Sequence, residues 1–138
     1  MIVLDASAAV SALVNAGPAR TTVVEEQLVA PHLIDTEVAN ALRRLAASGR
    51  IEVSDAWHAL ERWRHVAVRR EPIVGLLGRV WELRQQLSAY VASYVALAES
   101  LGCPLVTADA RLAGAHGIGC PVTPSSALGL DVAVDGGP

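Results

Sequence analysis

Short apolar runs alternate along the chain with longer segments in which apolar residues recur every three or four positions. The short runs predict buried strands at 2–4, 28–30, 66–68, 104–107 and 121–123. The longer segments predict helices at 6–14, 20–27, 36–48, 54–65, 73–87 and 89–101, with a short helix after residue 109. This alternation is typical of an α/β fold in which helices cover both faces of a parallel sheet.

Polar residues at the helix starts and apolar stripes inside the helices refine this prediction. Asp35 or Thr36 is expected to cap the third helix, Ser54 the fourth, and Ser88 the helix that ends at Gly102. The residues expected to face inward in the fourth and fifth helices are Trp57, Leu60, Val74, Leu77, Val80, Trp81 and Leu83.

Length and composition indicate one domain with a substantial core. The chain has 138 residues, of which 52% are hydrophobic and 18% charged, which excludes disorder for its body. No apolar run approaches the ~20 residues of a membrane helix. The first residues lack the basic region of a signal peptide. Cys103 and Cys120 form neither a disulfide framework nor a zinc spacing, and the expected location is the cytoplasm.

The net charge of −3 is unevenly distributed, and all eleven positive charges are arginine. Residues 43–84 hold nine arginines and five acids, a net of +4, whereas the remainder holds two arginines and nine acids, a net of −7. A basic middle between acidic flanks suits an anionic substrate that meets a site made of carboxylates. Ordinary solvated helices would show the same composition.

Three acids follow predicted strands. Asp5 comes directly after the first strand, Glu37 lies in the first turn after the second, and Asp109 lies two residues past the fourth. Each alone has a local explanation, because carboxylates stabilise helix N-termini. Because the carboxyl ends of parallel strands meet at one edge, all three together are better explained by a shared cation such as Mg²⁺ or Mn²⁺.

Three segments resemble the PIN-domain ribonucleases, and within them the VapC toxins of bacterial toxin–antitoxin pairs, particularly those of actinobacteria. The segments are 2–7 (IVLDAS), 37–42 (EVANAL) and 101–112 (LGCPLVTADARL). The resemblance implies a three-layer α/β/α domain over residues 1–126, with a short and mainly parallel central sheet. Residues 127–138 are expected to form a flexible tail.

The resemblance also implies an activity and partners. The activity is endoribonuclease hydrolysis of RNA phosphodiesters with Mg²⁺, or Mn²⁺, as cofactor. The partners are a VapB-like antitoxin, an RNA substrate and a second copy of the chain in a homodimer. The antitoxin would lie in a groove between the helices at 37–48 and 54–65, where Trp57 and Trp63 are either its anchors or core residues.

The family's site positions carry over residue by residue. Asp5, Glu37 and Asp109 match acids that bind metal and are catalytic. The positions matched to polar groups near the metal or substrate are Ser7, Asn40, Thr107 and Arg111. For Ser7 and Asn40 a capping or orienting role remains equally open, and Arg111 either holds a phosphate or pairs with a neighbouring acid.

One position departs from the family pattern. Residues 87–99 (LSAYVASYVALAE) resemble a segment in which the family has aspartate where this chain has Val91. With Ser88 as the cap, residue 91 is the third helical residue, where an acid is favoured for local reasons as well. We interpret Val91 as the substitution of an acid that impairs the nuclease. The alternative is a catalytically inactive PIN-like module that binds an antitoxin or RNA.

Overall fold

Five parallel strands form the centre of the molecule, in the spatial order β3-β2-β1-β4-β5. The computed structural model describes residues 1–15 and 26–125. Its strands are β1 (Ile2–Leu4), β2 (Leu28–Pro31), β3 (Val68–Glu71), β4 (Leu105–Thr107) and β5 (Val122–Pro124). Val3 pairs with Val29 on one side and with Leu105 on the other, and all three are fully buried. Strand β1 is therefore the middle of the sheet.

Helices connect the strands and cover the sheet. They are α1 (Ala6–Val14), α2 (Ile34–Ala47), α3 (Val53–Arg64), α4 (Leu77–Glu82) and α5 (Ala89–Leu101), with 3₁₀ turns at Val74–Leu76 and Ala110–Gly114. Because parallel crossovers are right-handed, α1 to α3 cover one face and α4 and α5 the other. The predicted three-layer α/β/α fold is confirmed. None of the helices in the described part of the chain has the length and hydropathy needed to cross a bilayer.

Two predicted segments fall partly or wholly outside the described residues. The expected helix at 20–27 lies mainly outside them, and its last two positions, Glu26 and Gln27, are not helical. The expected tail at 127–138 lies wholly outside them. Cys103 and Cys120 carry free thiols, the first of them buried.

Helix α2 begins earlier than predicted. It starts at Ile34, so Asp35 and Thr36 lie within its first turn and neither is its cap. Asp35 instead bonds to two other elements: Trp63 Nε1 donates to its Oδ1 at 2.8 Å, and Arg70 Nε donates to its Oδ2 at 2.7 Å. The bond from Arg70 is the main reason that the pKa of Asp35 lies below its ordinary value. The carboxylate thus ties α2 to α3 and β3.

The predictions for α3 and β3 were also wrong in detail. Helix α3 begins at Val53, after Glu52, so that Ser54 is not its cap. Trp57 is 56% exposed rather than inward, because the buried face carries Ala56, Ala59 and Trp63. The following strand is Val68–Glu71 rather than 66–68, since its pairing with β2 starts at Val68.

The helix predicted at 73–87 is interrupted. A 3₁₀ turn at Val74–Leu76 leads into α4, and turns follow from residue 83. Gly75 and Gly78 lower the helix propensity at this point. Of the residues expected inward, Val80 and Leu83 are buried, whereas Val74, Leu77 and Trp81 are exposed.

Candidate active site

The sheet topology places a crevice at the carboxyl ends of β1 and β4. From β1 the chain crosses to β2 on one side, while β4 lies on the other side, which makes this the switch point of the sheet. Ligands of open α/β sheets bind at such points. Asp5 follows β1 and Asp109 follows β4, so both predicted acids border this crevice.

Asp5 is the N-cap of α1 and is held by two donors. Its Oδ1 accepts hydrogen bonds from Ala8 N at 2.9 Å and from Ser7 Oγ at 2.6 Å. Ser7 Oγ also accepts a bond from Ala108 N at 2.9 Å, which connects the start of α1 with the end of β4. Ser7 therefore has the orienting role that the sequence left open. Whether it also contacts a substrate stays a prediction.

Thr107 belongs to the same network beneath the crevice. It is fully buried, its Oγ1 accepts a bond from Asp109 N at 3.0 Å, and it lies 3.4 Å from Ser7 Oγ. These contacts fix the turn that carries Asp109. The substrate contact predicted for Thr107 stays a prediction.

Glu37 is held from the opposite face of the sheet by Tyr94. The Tyr94 hydroxyl donates to Glu37 Oε1 at 2.7 Å, and only 3% of the tyrosine is exposed. Burial, and then the bond to Glu37, raise the pKa of Tyr94, so that it remains a donor. Sequence reasoning missed Tyr94. The available signal was a tyrosine hydroxyl on the otherwise apolar face of α5, since such a buried group requires a partner.

Asp5 and Glu37 are acids without a compensating cation in the described residues. Burial is the main cause that raises the pKa of each. The charge of Asp109 raises the pKa of Asp5 further, and the charge of Asp5 raises that of Glu37. No ion pair within residues 1–15 and 26–125 involves Asp5 or Glu37. The site therefore concentrates negative charge that a cation would stabilise.

Asp109, in contrast, is paired with Arg111. Arg111 Nε lies 3.0 Å from Oδ1 and Nη2 lies 3.1 Å from Oδ2, and these bonds hold the pKa of Asp109 below its ordinary value. Of the two roles predicted for Arg111, pairing with a neighbouring acid is the one seen. Its side chain is 84% exposed, so little besides Asp109 restrains it.

The described residues do not contain a ready-made metal centre. No three His, Cys, Asp or Glu side chains among them are grouped so that they could hold an ion together. Asp109 is directed at Arg111 instead of at the other acids.

Val91 lies in the first turn of α5, the helix that also carries Tyr94. The cap predicted at Ser88 is confirmed, because Val91 N donates to Ser88 Oγ at 3.3 Å, and α5 ends at the left-handed Gly102 as expected. Val91 is half-buried and packs against the core. It precedes Tyr94 by three residues, and residues at this spacing are neighbours on one helix face. The face of α5 that reaches Glu37 therefore carries an aliphatic side chain where an acid is expected.

Asn40 lies one turn after Glu37 on α2 and is exposed. Its Oδ1 accepts a bond from Arg43 Nε at 3.0 Å, so that its amide nitrogen remains a donor. The structure brings Asn40 to the same helix end as Glu37 and leaves its predicted substrate contact untested.

The PIN domain family matches residues 2–117 of this chain. The chain belongs to the PIN-domain family. Ribonuclease VapC9 of Mycobacterium tuberculosis is 55% identical over 123 residues, which cover 89% of this chain and 97% of that protein. Ribonuclease VapC1 of the same organism is 40% identical over 125 residues, covering 87% and 94%. Within the family the chain is therefore of the VapC type.

Solved structures agree with the fold. PAE2754 from Pyrobaculum aerophilum superposes with a TM-score of 0.69 at 26% identity, covering 92% of this chain and 90% of that one. VapC20 of Mycobacterium tuberculosis, a toxin described as cleaving the sarcin-ricin loop, has a TM-score of 0.59 at 21% identity, covering 83% and 94%. The second likeness supports the fold alone.

Proposed function

We propose that the chain is the toxin of a type II toxin–antitoxin system in the cytoplasm and a metal-dependent endoribonuclease, and that Val91 impairs its activity. One observation carries the proposal: Asp5 interacts electrostatically with both Glu37 and Asp109, and no cationic side chain in the described residues forms an ion pair with Asp5. The names of the VapC relatives supply the reaction class, which is RNA hydrolysis.

The chemistry of the donors fits Mg²⁺, or Mn²⁺, because both ions prefer carboxylate oxygens. Asp5, Glu37 and Asp109 are the residues that would hold the ion. When bound, the ion supplies positive charge at the phosphate and activates water for attack. Ser7 and Tyr94 keep the Asp5 and Glu37 carboxylates oriented, as residues behind metal ligands commonly do.

Arg111 competes with the ion for Asp109 in this proposal. Arg111→Ala is expected to tighten Mn²⁺ binding by about two- to fivefold, because it releases the Asp109 carboxylate from an exposed ion pair and removes a positive charge. The measurement is a Mn²⁺ titration in which the concentration of free ion is monitored by electron paramagnetic resonance. Arg64→Ala, which breaks the exposed pair with Glu61, is the matched control and is expected to leave the affinity unchanged. Unchanged or weaker binding by Arg111→Ala would show that the pair does not oppose the ion.

The proposed activity is tested by incubating mixed RNA with the purified chain in excess Mg²⁺ or in EDTA. We expect slow cleavage that EDTA reduces to background, since the carboxylates alone cannot neutralise the charge that develops on the phosphate. Cleavage of equal rate in EDTA would contradict a metal-dependent reaction.

The second candidate is an inactive PIN-like module that binds a VapB-like antitoxin or RNA. It is favoured by the apolar surface of α3, where Val53 is 74% and Trp57 56% exposed. A groove of about 420 Å³ lies between α1 and α3, not between α2 and α3 where the antitoxin groove was predicted, and it is lined by Leu13, Val14, Ile51, Asp55, His58, Ala59 and Arg62. Trp57 fits an antitoxin anchor, whereas Trp63 is a core residue. Absence of cleavage both by this chain and by its Val91→Asp variant would favour this candidate. That the chain forms a homodimer stays a prediction.

A further inference from the structure

Most arginines of the basic middle are already engaged. The engaged side chains are Arg64 with Glu61, Arg69 with Glu71, Arg70 with Asp35, Arg79 with Glu82 and Glu99, Arg62 with the Leu13 carbonyl and Arg84 with the Trp81 carbonyl. Arg43, Arg44 and Arg50 form no ion pair with any residue that the structure describes. The basic middle is therefore not one surface that faces a substrate. Arg62 and Arg84 also lack an acid partner among the described residues, but each is held by a backbone carbonyl, whereas the three arginines of α2 and the turn after it are held by neither an acid nor a backbone carbonyl.

The charge along α2 is strongly polarised. Its acids, Asp35 and Glu37, both lie in the first turn. From residue 38 to residue 51 the chain contains Arg43, Arg44 and Arg50 and no acid, and all three arginines are exposed. The helix thus begins at the candidate active site and continues as a purely positive surface.

The spacing connects this surface with the site. Arg44 follows Glu37 by seven residues, which is close to two turns, so it lies on nearly the same helix face about 10 Å further along the axis. Arg43 is oriented by its Nε bond to Asn40 at 3.0 Å, and its two terminal nitrogens have no acid partner in residues 1–15 and 26–125. Guanidinium groups of this kind bind phosphate oxygens in a bidentate manner.

We infer that α2 guides the backbone of single-stranded RNA away from the cleaved bond, with Arg43, Arg44 and Arg50 contacting its phosphates and Asn40 fixing Arg43. This rests on the proposed function, because it assumes that the acids at the start of α2 act on a phosphodiester. An acidic protein segment could bind the same three arginines. RNA is favoured because the positive surface is continuous with the acids that would hold a metal ion.

The test compares two triple variants with the same change of net charge. Arg43→Gln/Arg44→Gln/Arg50→Gln removes the inferred contacts, and Arg64→Gln/Arg69→Gln/Arg84→Gln removes exposed arginines that are engaged elsewhere. Binding of a fluorescent single-stranded RNA of mixed sequence is measured in EDTA over a series of salt concentrations. For single strands each lost phosphate contact reduces the slope of log K against log salt by about 0.7, so we expect a reduction of about 2 for the first triple and little change for the second.

Thermal unfolding verifies that the variants are folded, because Arg44 also complements the α2 dipole. If the first triple fails to fold, Arg50→Gln, which lies beyond the helix, is expected to lose about a third of the effect. Equal slopes for both triples, or an unchanged slope for the first, would overturn the inference while leaving the proposed function intact. If the unaltered chain binds no RNA in EDTA, the inference fails, whereas the proposed function fails only if RNA cleavage in Mg²⁺ is also absent. Binding of an acidic peptide instead of RNA through the same three arginines would assign this surface to a protein partner and also overturn the inference.

Discussion

Replacing Val91 with aspartate is expected to raise Mg²⁺-dependent RNA cleavage by about a hundredfold or more. Val91 lies one turn before Tyr94 on the α5 face that reaches Glu37. An aspartate there adds a fourth carboxylate to Asp5, Glu37 and Asp109. The larger negative charge binds a divalent ion more tightly, and the additional oxygen helps to fix its position. The measurement is the initial rate of cleavage of mixed RNA in saturating Mg²⁺.

Val91→Asn is the control that separates charge from shape. Asparagine has nearly the same shape as aspartate but is a much weaker ligand, so we expect only a small part of the gain. Similar gains from both variants would mean that any polar side chain repairs the site, for example by rearranging α5. No gain from Val91→Asp would refute the role assigned to this position.

The second large effect is expected from Asp5→Asn, introduced together with Val91→Asp. Cleavage should fall by about a hundredfold or more, because the carboxylate that interacts with both Glu37 and Asp109 is lost. The folded protein should nevertheless become more stable in EDTA at neutral pH. Asparagine keeps the cap oxygen for Ala8 N, and it removes a buried charge that Asp109 repels.

The pH dependence of stability shows whether the loss of the Asp5 charge, rather than another effect of the Asp5→Asn substitution, stabilises the folded protein. Burial raises the pKa of Asp5 above its ordinary value of 3.8, so its ionisation destabilises the folded state. With aspartate at position 5, stability is therefore lost as pH rises from about 3.8 through the raised pKa, and with asparagine this loss is absent. The measurement is thermal unfolding in EDTA between pH 4 and 8 of the Val91→Asp protein with and without Asp5→Asn.

Glu52→Gln serves as the matched control for Asp5→Asn. Glu52 is an exposed acid at the start of α3 without a side-chain cap bond, so its loss should change neither cleavage nor the pH profile. Retained cleavage by the Asp5→Asn protein, or a lower stability in EDTA, would contradict the role given to Asp5.

The parts of the fold that could be predicted are those in which local pattern and tertiary packing agree. In strand β1, helix α1 and helix α5 most of the apolar residues are buried. The apolar runs in the sequence therefore predict the position of these three elements. The positions of Asp5 and Asp109 follow from the strands before them and from the rule for parallel sheets. For this reason the acid-lined edge could be located before the structure was known.

The parts that could not be predicted depend on contacts between distant segments. Asp35 is a good helix cap by local chemistry, but Trp63 and Arg70 use its carboxylate instead. Tyr94 resembles an ordinary core residue until Glu37 is placed opposite its hydroxyl. The number of arginines in a segment likewise does not show which of them form ion pairs, because the pairs depend on tertiary contacts.

We propose that the acids at the crevice hold a metal ion for RNA cleavage and that Val91 limits this activity. The most direct test is a Mg²⁺ titration of RNA cleavage, performed in parallel on the unaltered chain and on Val91→Asp. We predict that the aspartate variant reaches half of its maximal rate at a lower Mg²⁺ concentration and attains a plateau about a hundredfold higher. Superimposable curves, or cleavage that does not depend on Mg²⁺ in either protein, would contradict the claim.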